Sequence, residues 1–565
     1  MKPRIWVKEI KFSEGLSIEL EKDEIILFVG PNNVGKSVSL KEINGKISNR
    51  KMKSIIVSDV ELNKEGEEKD LLEHIKSSAI VNDQSNPTNP TLQTFKLSNQ
   101  QSQISNSWTN HKNGISILQG YFSNFLTTTG RLVAVNPPNS ISFIGQAPTH
   151  PIHFLQRDDK LEIQFSKYFN QAFETDLIVN RGAGSRVPIH IGKRPTPSGD
   201  EDRISLSYVK KIEELPKLHE QGDGMKSFVG VLLNSFISQY SIVLVDEPEA
   251  FLHPPQARLL GKMIGKELPY DRQLFLASHS GDFLRGILDS GSQKVRIIRI
   301  DRIADRNKIC ELKPTEINEL WKDPLLRHSN VLDGIFHKKV IICESDSDCR
   351  FYSAILQAVV EKNSLSSPDF MFIHCGGKHR IPQVVGALKK LNVDISVICD
   401  FDVLNNVNPL GKIVENLGGN WNALKPQWKI VKNAIDKKRP ELETEDVKKE
   451  INEILNNISD RIFPKAEAKK INSALKKISA WNYAKQVGSS FIPSGDPTSN
   501  FQNINKEFKK INLFIVEVGE LEGFCRSIGN HGPKWVNEVL EKELKNETEL
   551  QNARNFIKEI IENNA

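Results

Sequence analysis

Two apolar runs in this chain end in acids. Residues 341–351 read IICESDSDCRF and residues 397–403 read VICDFDV. Glu344, Asp346 and Asp348 lie within five positions, and Asp400 and Asp402 flank a phenylalanine. Each apolar run reads as a buried strand. In an open α/β sheet, ligands collect at the carboxyl ends of the strands. Carboxylates that converge there repel one another unless a cation neutralises them. Clusters of hard oxygen ligands suit Mg²⁺ or Mn²⁺, so the pattern is that of a metal site. A helix over DCRFYSAILQAVV sets Glu344 and Asp348 close together at its start. Strand alternation is expected to put Asp400 and Asp402 on one side.

A second constellation stands three hundred residues earlier. EIILFVGPNNVGKSVSLKEI spans 24–43 and contains a full G-x-x-x-x-G-K-S, from Gly30 through Asn32, Asn33 and Gly35 to Lys36 and Ser37. A strand precedes the motif and a helix follows, which is the context it needs. The glycines let backbone N–H groups turn toward phosphate oxygens, and the helix N-terminus adds partial positive charge. Lys36 is expected to reach the β- and γ-phosphates of ATP, and Ser37 to hold Mg²⁺. IVLVDEPEAFLHP, 242–254, is the matching acidic strand. There Asp246 holds Mg²⁺ through water and Glu247 polarises the attacking water. The next strand, QLFLASHS, ends at His279, placed to sense the γ-phosphate. Gln119 and Arg131 are weaker candidates for the nucleotide's surroundings.

A third strand, in INLFIVEVGELEGF, precedes acids at 517, 520 and 522. Glu522 is a candidate further metal ligand. Lys534, in NHGPKWVNEVL, is a candidate for stabilising charge on a leaving oxygen. HCGGKHR, 374–380, reads as a phosphate-approaching turn carrying Lys378.

The elements that position these groups imply an α/β protein of several domains, since 565 residues exceed one core. A composition 38% hydrophobic and 26% charged suits a globular chain. No apolar run is long enough to span a membrane, and the start lacks a secretion signal. A cytoplasmic protein is expected. The six cysteines match no zinc spacing and read as buried thiols. The net charge of +5 does not by itself point to nucleic acid. Residues 1–330 are expected to form the nucleotide domain, with 150–215 as an inserted, dimer-forming subdomain and 62–112 as surface loops. Residues 336–405 and 509–565 are expected to form the second domain. A helical insertion, 406–508, interrupts it. Val447, Ile451, Ile454, Leu455 and Ile458 share one helical face there, and Ile471, Leu475 and Ile478 another. Residues 421–510 carry about 18 basic against 11 acidic residues. With Trp421, Trp428 and Trp481, this stretch is a candidate backbone contact for nucleic acid.

DEPEAFLHP and SHS resemble the ATP-binding-cassette-like ATPases that include repair and chromosome-maintenance proteins. That resemblance implies an ATP-sandwich homodimer. EQGDGMKSF, 220–228, would be the signature loop, with Gly222 and Gly224 offering N–H groups to a γ-phosphate; it departs from the usual Leu-Ser-Gly-Gly-Gln. The acid-ended strands resemble the Toprim fold of topoisomerases, primases and several nucleases. The two halves together resemble the overcoming-lysogenisation-defect (OLD) family of ATP-dependent nucleases. The resemblance implies metal ligation by Glu344, Asp348, Asp400 and Asp402, with Glu344 catalytic and Glu522 and Lys534 supporting. It implies an ATP-regulated DNA endonuclease in anti-phage defence, as a dimer or higher oligomer. An operon partner such as a helicase or a retron reverse transcriptase with its DNA–RNA hybrid is also implied. The other readings are an ATP-driven DNA clamp or sensor without cleavage, and a triggered effector that degrades RNA.

Overall fold

Ile25–Val29 is buried at every position, as befits a strand covered on both faces. The computed structural model describes residues 2–48, 53–82, 86–94, 96–143, 146–199, 202–303, 306–324, 327, 330–438, 444–460, 462–476 and 479–563. The chain divides into two compact units, Met1–Ser329 and Asn330–Ala565.

In the first unit, β1 (Arg4–Phe12), β2 (Ser17–Glu19) and β4 (Val57–Glu65) form an antiparallel sheet in the order β2-β1-β4. The strand Ile25–Val29 is β3, and it belongs to a second sheet. Its partners are β8 (Ser123–Leu126), β11 (Ile242–Asp246), β12 (Gln273–Ala277), β13 (Val295–Ile303) and β14 (Arg306–Leu312), in the order β14-β13-β3-β12-β11-β8. All pairings are parallel except that of β14. Gln273 ties the two sheets: its buried side-chain amide accepts from Val7 N at 2.9 Å and donates to Val7 O at 2.9 Å. The strand carrying the phosphate motif and the strand carrying Asp246 thus rest on one rigid layer, separated only by β12.

The polar stretch 62–112 is not a run of loops. It completes β4, forms helices Glu68–Ser78 and Gln101–Thr109, and builds a small antiparallel sheet from β5 (Ile80–Asn82), β6 (Thr91–Thr94) and β7 (Leu97–Gln100). Its few apolar residues decide the matter: Leu71, Ile75, Leu92, Ile104 and Trp108 are buried together. Residues 150–215 form helices Pro151–Arg157, Asp159–Phe173 and Leu206–Glu213 around the hairpin β9 (Asp176–Val179) and β10 (Ile189–Gly192). Ile178, Tyr208 and Ile212 pack as its small core.

In the second unit, β15 (Lys339–Cys343), β16 (Phe370–His374), β17 (Asp394–Cys399) and β18 (Leu513–Ile515) form an all-parallel sheet in the order β16-β15-β17-β18. The chain runs from β15 to one side and returns to the other. The strand order therefore reverses between β15 and β17, where such sheets open a crevice. Residues between β17 and β18 form six helices, Val407–Asn416, Trp421–Lys437, Thr444–Asn456, Lys465–Lys476, Ala480–Val487 and Asp496–Lys510, among the described residues. The apolar face on Thr444–Asn456 is only half covered, and no residue of that helix is buried. Ile478 lies outside the described residues. Trp421, Trp428 and Trp481 are buried at 6%, 6% and 8% exposure, so they pack the insertion. None of the six cysteines forms a disulfide, and no helix among the described residues is long and apolar enough to cross a membrane.

Helix Pro254–Glu267 and helix Gly281–Asp289, which flank the segment bearing His279, touch backbone to backbone. A Cβ at Gly286 would collide with the Arg258 carbonyl oxygen, and one at Gly261 with that of Phe283. Gly286→Val should therefore overpack this contact and lower stability by about 2–3 kcal/mol, read as a reduced midpoint in urea unfolding at unchanged slope.

Candidate functional site

The nucleotide motif takes the backbone shape its residue types allow. Gly30 and Gly35 have φ of 139° and 101°, and Asn33, a tolerant residue, has 63°. A side chain at Gly30 would strike the Ile300 carbonyl oxygen. Asn32 and Asn33 are exposed at the crest of the loop. Lys36 Nζ donates to the carbonyl oxygens of Gly30 and Pro31, each at 2.8 Å. Ser37 Oγ donates to Asp246 Oδ1 at 2.8 Å. A hydroxyl and a carboxylate separated by 209 positions therefore meet, and this pair fits the Mg²⁺ that accompanies a nucleoside triphosphate.

Glu247 is held at φ 49°, a strained conformation for a residue with a side chain. Its N–H donates to Ala277 O at 2.8 Å. Glu249 is buried and receives Ser278 Oγ at 2.8 Å and the His279 N–H at 3.1 Å, both on Oε1. Burial raises its pKa, against those hydrogen bonds. His279 Nδ1 stands 3.5 Å from Glu247 Oε1 and 3.5 Å from Glu249 Oε1. Arg131 lies fully buried beneath and donates to Asp246 O at 2.9 Å. Gly222 caps helix Asp223–Leu232 with open space around its Cα. Ser227 Oγ fastens that helix to Ala250 O at 3.0 Å, in the turn that follows Glu247.

The second constellation sits in the crevice at the sheet's reversal. Glu344 directly follows β15 and Asp400 directly follows β17. Asp402 arrives by another route than the sequence suggests. The strand stops at Cys399, and a short 3₁₀ turn over Phe401–Asn405 swings Asp402 back, where strand alternation was expected. Carboxylate oxygens of Glu344, Asp400 and Asp402 lie within 4.8 Å of one another. The Asp400 N–H donates to Glu344 Oε1 at 3.3 Å. Burial, and then Asp402, push Glu344 up to about 7. Burial and Glu344 hold Asp400 well above its ordinary value. Two lysines oppose this: Lys378 Nζ is 2.6 Å from Asp402 Oδ2 and Lys485 Nζ is 3.0 Å from Asp400 Oδ2.

Glu520, Glu522 and His531 form a second group, again with ligand atoms within 4.8 Å. Lys485 reaches it too, at 3.6 Å from Glu520 Oε2. Asp402 Oδ1 and Glu522 Oε2 are buried with no hydrogen-bond partner among the described residues. An anionic oxygen left dry and unpaired is costly. One in each group is what a divalent cation would satisfy; the all-oxygen set of Glu344, Asp400 and Asp402 fits Mg²⁺ or Mn²⁺, and the second set, which includes the His531 imidazole, fits Mn²⁺ better than Mg²⁺.

The family described as "Overcoming lysogenization defect protein-like, TOPRIM domain" matches residues 335–402. An AAA-domain family, whose description names the AbiEii toxin and a Type IV TA system, matches residues 145–285. Its Toprim domain is OLD-like. The chain joins an AAA domain to that OLD-like Toprim domain, which carries the parallel sheet. Among solved structures, an Smc head bound to the C-terminal winged-helix domain of ScpA is similar at 11% identity, covering 55% of this chain and 98% of that one, with a TM-score of 0.32. An SMC head from Thermotoga maritima has 10% identity, 55% and 100% coverage and a TM-score of 0.27. The ATP-binding cassette of an ABC transporter in its ADP conformation has 12% identity, 57% and 96% coverage and a TM-score of 0.26. No curated protein matches the chain.

Within this OLD-like Toprim domain, Asp348 stands beside the carboxylate trio without joining it. Its Oδ2 accepts from Ser345 N at 2.8 Å and Ser345 Oγ at 3.0 Å, closing the start of helix Asp346–Lys362. Burial raises it, and Glu522 adds to that. Lys534 is exposed at the start of helix Pro533–Leu540. The turn before it is hooked to the second acid group by Gly532 N–H to Glu522 Oε1, at 2.7 Å. Gln119 donates to Asn44 Oδ1 at 2.9 Å, two turns along the helix from Lys36. Sequence reasoning missed Lys485, one lysine among many in the insertion. It also missed Glu249, whose only signal is its place in DEPE. Lys36→Ala should weaken ATP binding at least tenfold, about 1.4 kcal/mol, in a titration with a fluorescent ATP analogue. Equal affinity would show that Lys36 does not meet the phosphates.

Proposed function

We propose that this chain is an OLD-family, ATP-regulated, divalent-metal-dependent DNA endonuclease that acts in the bacterial cytoplasm in defence against phage. The observation that carries the reading is the pair of carboxylate groups in the Toprim crevice, each with a buried, unpartnered oxygen. Glu344, Asp400 and Asp402 would hold one divalent ion, and Glu520, Glu522 and His531, with Asp348 alongside, a second. Bound there, such ions supply Lewis-acid polarisation of a phosphodiester and a water acidified to a nucleophile. The chain's own residues do the positioning. The Asp400 N–H orients Glu344, Lys378 keeps Asp402 turned inward, and Ser345 keeps Asp348 in place. Lys534, exposed three positions after His531, would approach a leaving oxygen of the DNA.

The ATPase domain would act as the regulator. Ser37 and Asp246 present Mg²⁺–ATP, and Glu247 takes the proton of the attacking water, with His279 beside it. The N-terminus of helix Asp223–Leu232, open at Gly222 and packed at Gly224 against the Phe251 carbonyl, would offer N–H groups to the γ-phosphate of ATP held by a second copy. ATP would thus build a homodimer, and hydrolysis would reset it.

The test is cleavage of supercoiled plasmid with Mg²⁺ or Mn²⁺, with and without ATP. Wild type should nick or linearise the DNA. Asp400→Ala/Asp402→Ala should lose cleavage and keep ATP turnover; loss of both activities would argue against this division of labour. Glu247→Gln should slow ATP hydrolysis about 10²–10⁴-fold while still binding ATP, measured as phosphate release beside nucleotide retention. An absence of cleavage in complexes purified with their native partners would favour a DNA clamp.

A further inference from the structure

Helix Ala480–Val487, near the end of the insertion, carries Lys485 into the Toprim crevice. The ammonium lies between the two acid groups, 3.0 Å from Asp400 Oδ2 and 3.6 Å from Glu520 Oε2. Its side chain is 34% exposed, so it is a half-buried group at the mouth of the crevice. Burial disfavours its charge, but Asp400 and Asp402 outweigh burial and raise its pKa.

The placement is built at the level of the backbone. Gly488, at φ 69°, lies so close to the loop after β18 that a Cβ there would collide with the Glu517 carbonyl oxygen. Gly519, at φ 112°, lies so close to the helix that a Cβ would collide with the Lys485 carbonyl oxygen. Ser489 N–H donates to Glu517 O at 2.8 Å, and Phe401 N–H donates to Gly519 O at 2.8 Å. Three segments are locked together here: the one bearing Lys485, the one bearing Glu520 and Glu522, and the one bearing Asp400 and Asp402. A lysine held by two glycines in the left-handed region is not a surface residue that happens to find an acid.

We propose that Lys485 is a tethered counter-ion that keeps the two carboxylate groups assembled and gives up Asp400 when a divalent cation binds. The inference rests on the metal-centre reading above. A charge fixed beside the ligands competes with the incoming ion, so it lowers metal affinity and keeps the metal-free site from flying apart. Once displaced, the ammonium is still in reach of both groups, where a phosphate oxygen of the substrate would be its next partner. Lys485 is thus a positioning residue, and it makes the helical insertion part of the site.

The experiment is a calorimetric titration of the full-length chain with Mn²⁺ alone, paired with urea unfolding in EDTA and in Mn²⁺. Lys485→Met should bind Mn²⁺ about tenfold more tightly than wild type, a change of the order expected for one neighbouring charge at partial exposure. It should unfold at lower urea in EDTA, and saturating Mn²⁺ should close that gap. Lys485→Gln should behave like Lys485→Met, and Lys485→Arg like wild type. Unchanged or weaker Mn²⁺ binding by both neutral variants would overturn the proposal, since a merely structural lysine lowers stability without tightening the metal. Failure of the wild type itself to bind Mn²⁺ would overturn the metal-centre reading.

Discussion

Three carboxylates within 4.8 Å of one another in a buried crevice are the constraint on which the Toprim unit depends. Water would screen their repulsion, but burial removes most of it. The crevice answers with geometry and fixed positive charge. The parallel sheet reverses its order between β15 and β17, so Glu344 and Asp400 cannot avoid each other. Lys378 and Lys485 then approach from two different segments, the turn after β16 and the insertion. The turn itself is tied to the site, since the Gly377 N–H donates to Glu344 O at 2.9 Å.

The ATPase unit gathers acids under a different discipline. Asp246 is paired with a neutral hydroxyl, Ser37. Glu247 is aimed by a strained backbone. Glu249 is buried, and there it works as a backbone acceptor that shapes the segment around His279. Buried Arg131 places positive charge beneath all three acids and bonds the Asp246 carbonyl. The acids are thereby spread along a strand end and its turn, and they do not converge on one point.

Much of this was legible in the sequence because it rests on local rules. A run such as IILFV followed by G-x-x-x-x-G-K-S dictates its own strand, loop and helix, and the acid-ended runs declare their strands equally well. The failures have physical causes. Asp402 was assigned by alternation, but the strand ends one residue before Asp400, and nothing in CDFDV says so. The stretch 62–112 was judged by average polarity, whereas a fold needs only a few apolar anchors such as Leu92 and Trp108. Composition does not say which way the tryptophans of the basic insertion face, and Trp428 Nε1 donates inward to Leu404 O at 2.7 Å. Lys485 was invisible because its role depends on a contact with Gly519, thirty-four positions away. No periodicity encodes such a contact.

That same contact changes how the insertion should be regarded. A helical appendage held only by its two chain connections would leave the turn over Phe401–Asn405 to find its own support. Instead, Phe401 packs against Phe501 with ring centroids 5.6 Å apart, Trp428 bonds Leu404, and Asn505 Nδ2 donates to Glu517 Oε1 at 2.8 Å. Each contact braces a segment that carries a site carboxylate. Part of the insertion's positive charge is spent inside the crevice at Lys485, so net basicity alone overstates the positive charge left on its surface. The turn that holds Asp402 in place is braced from the insertion, by Phe501 against Phe401 and by Trp428 on Leu404, so its conformation does not rest on its own five residues alone.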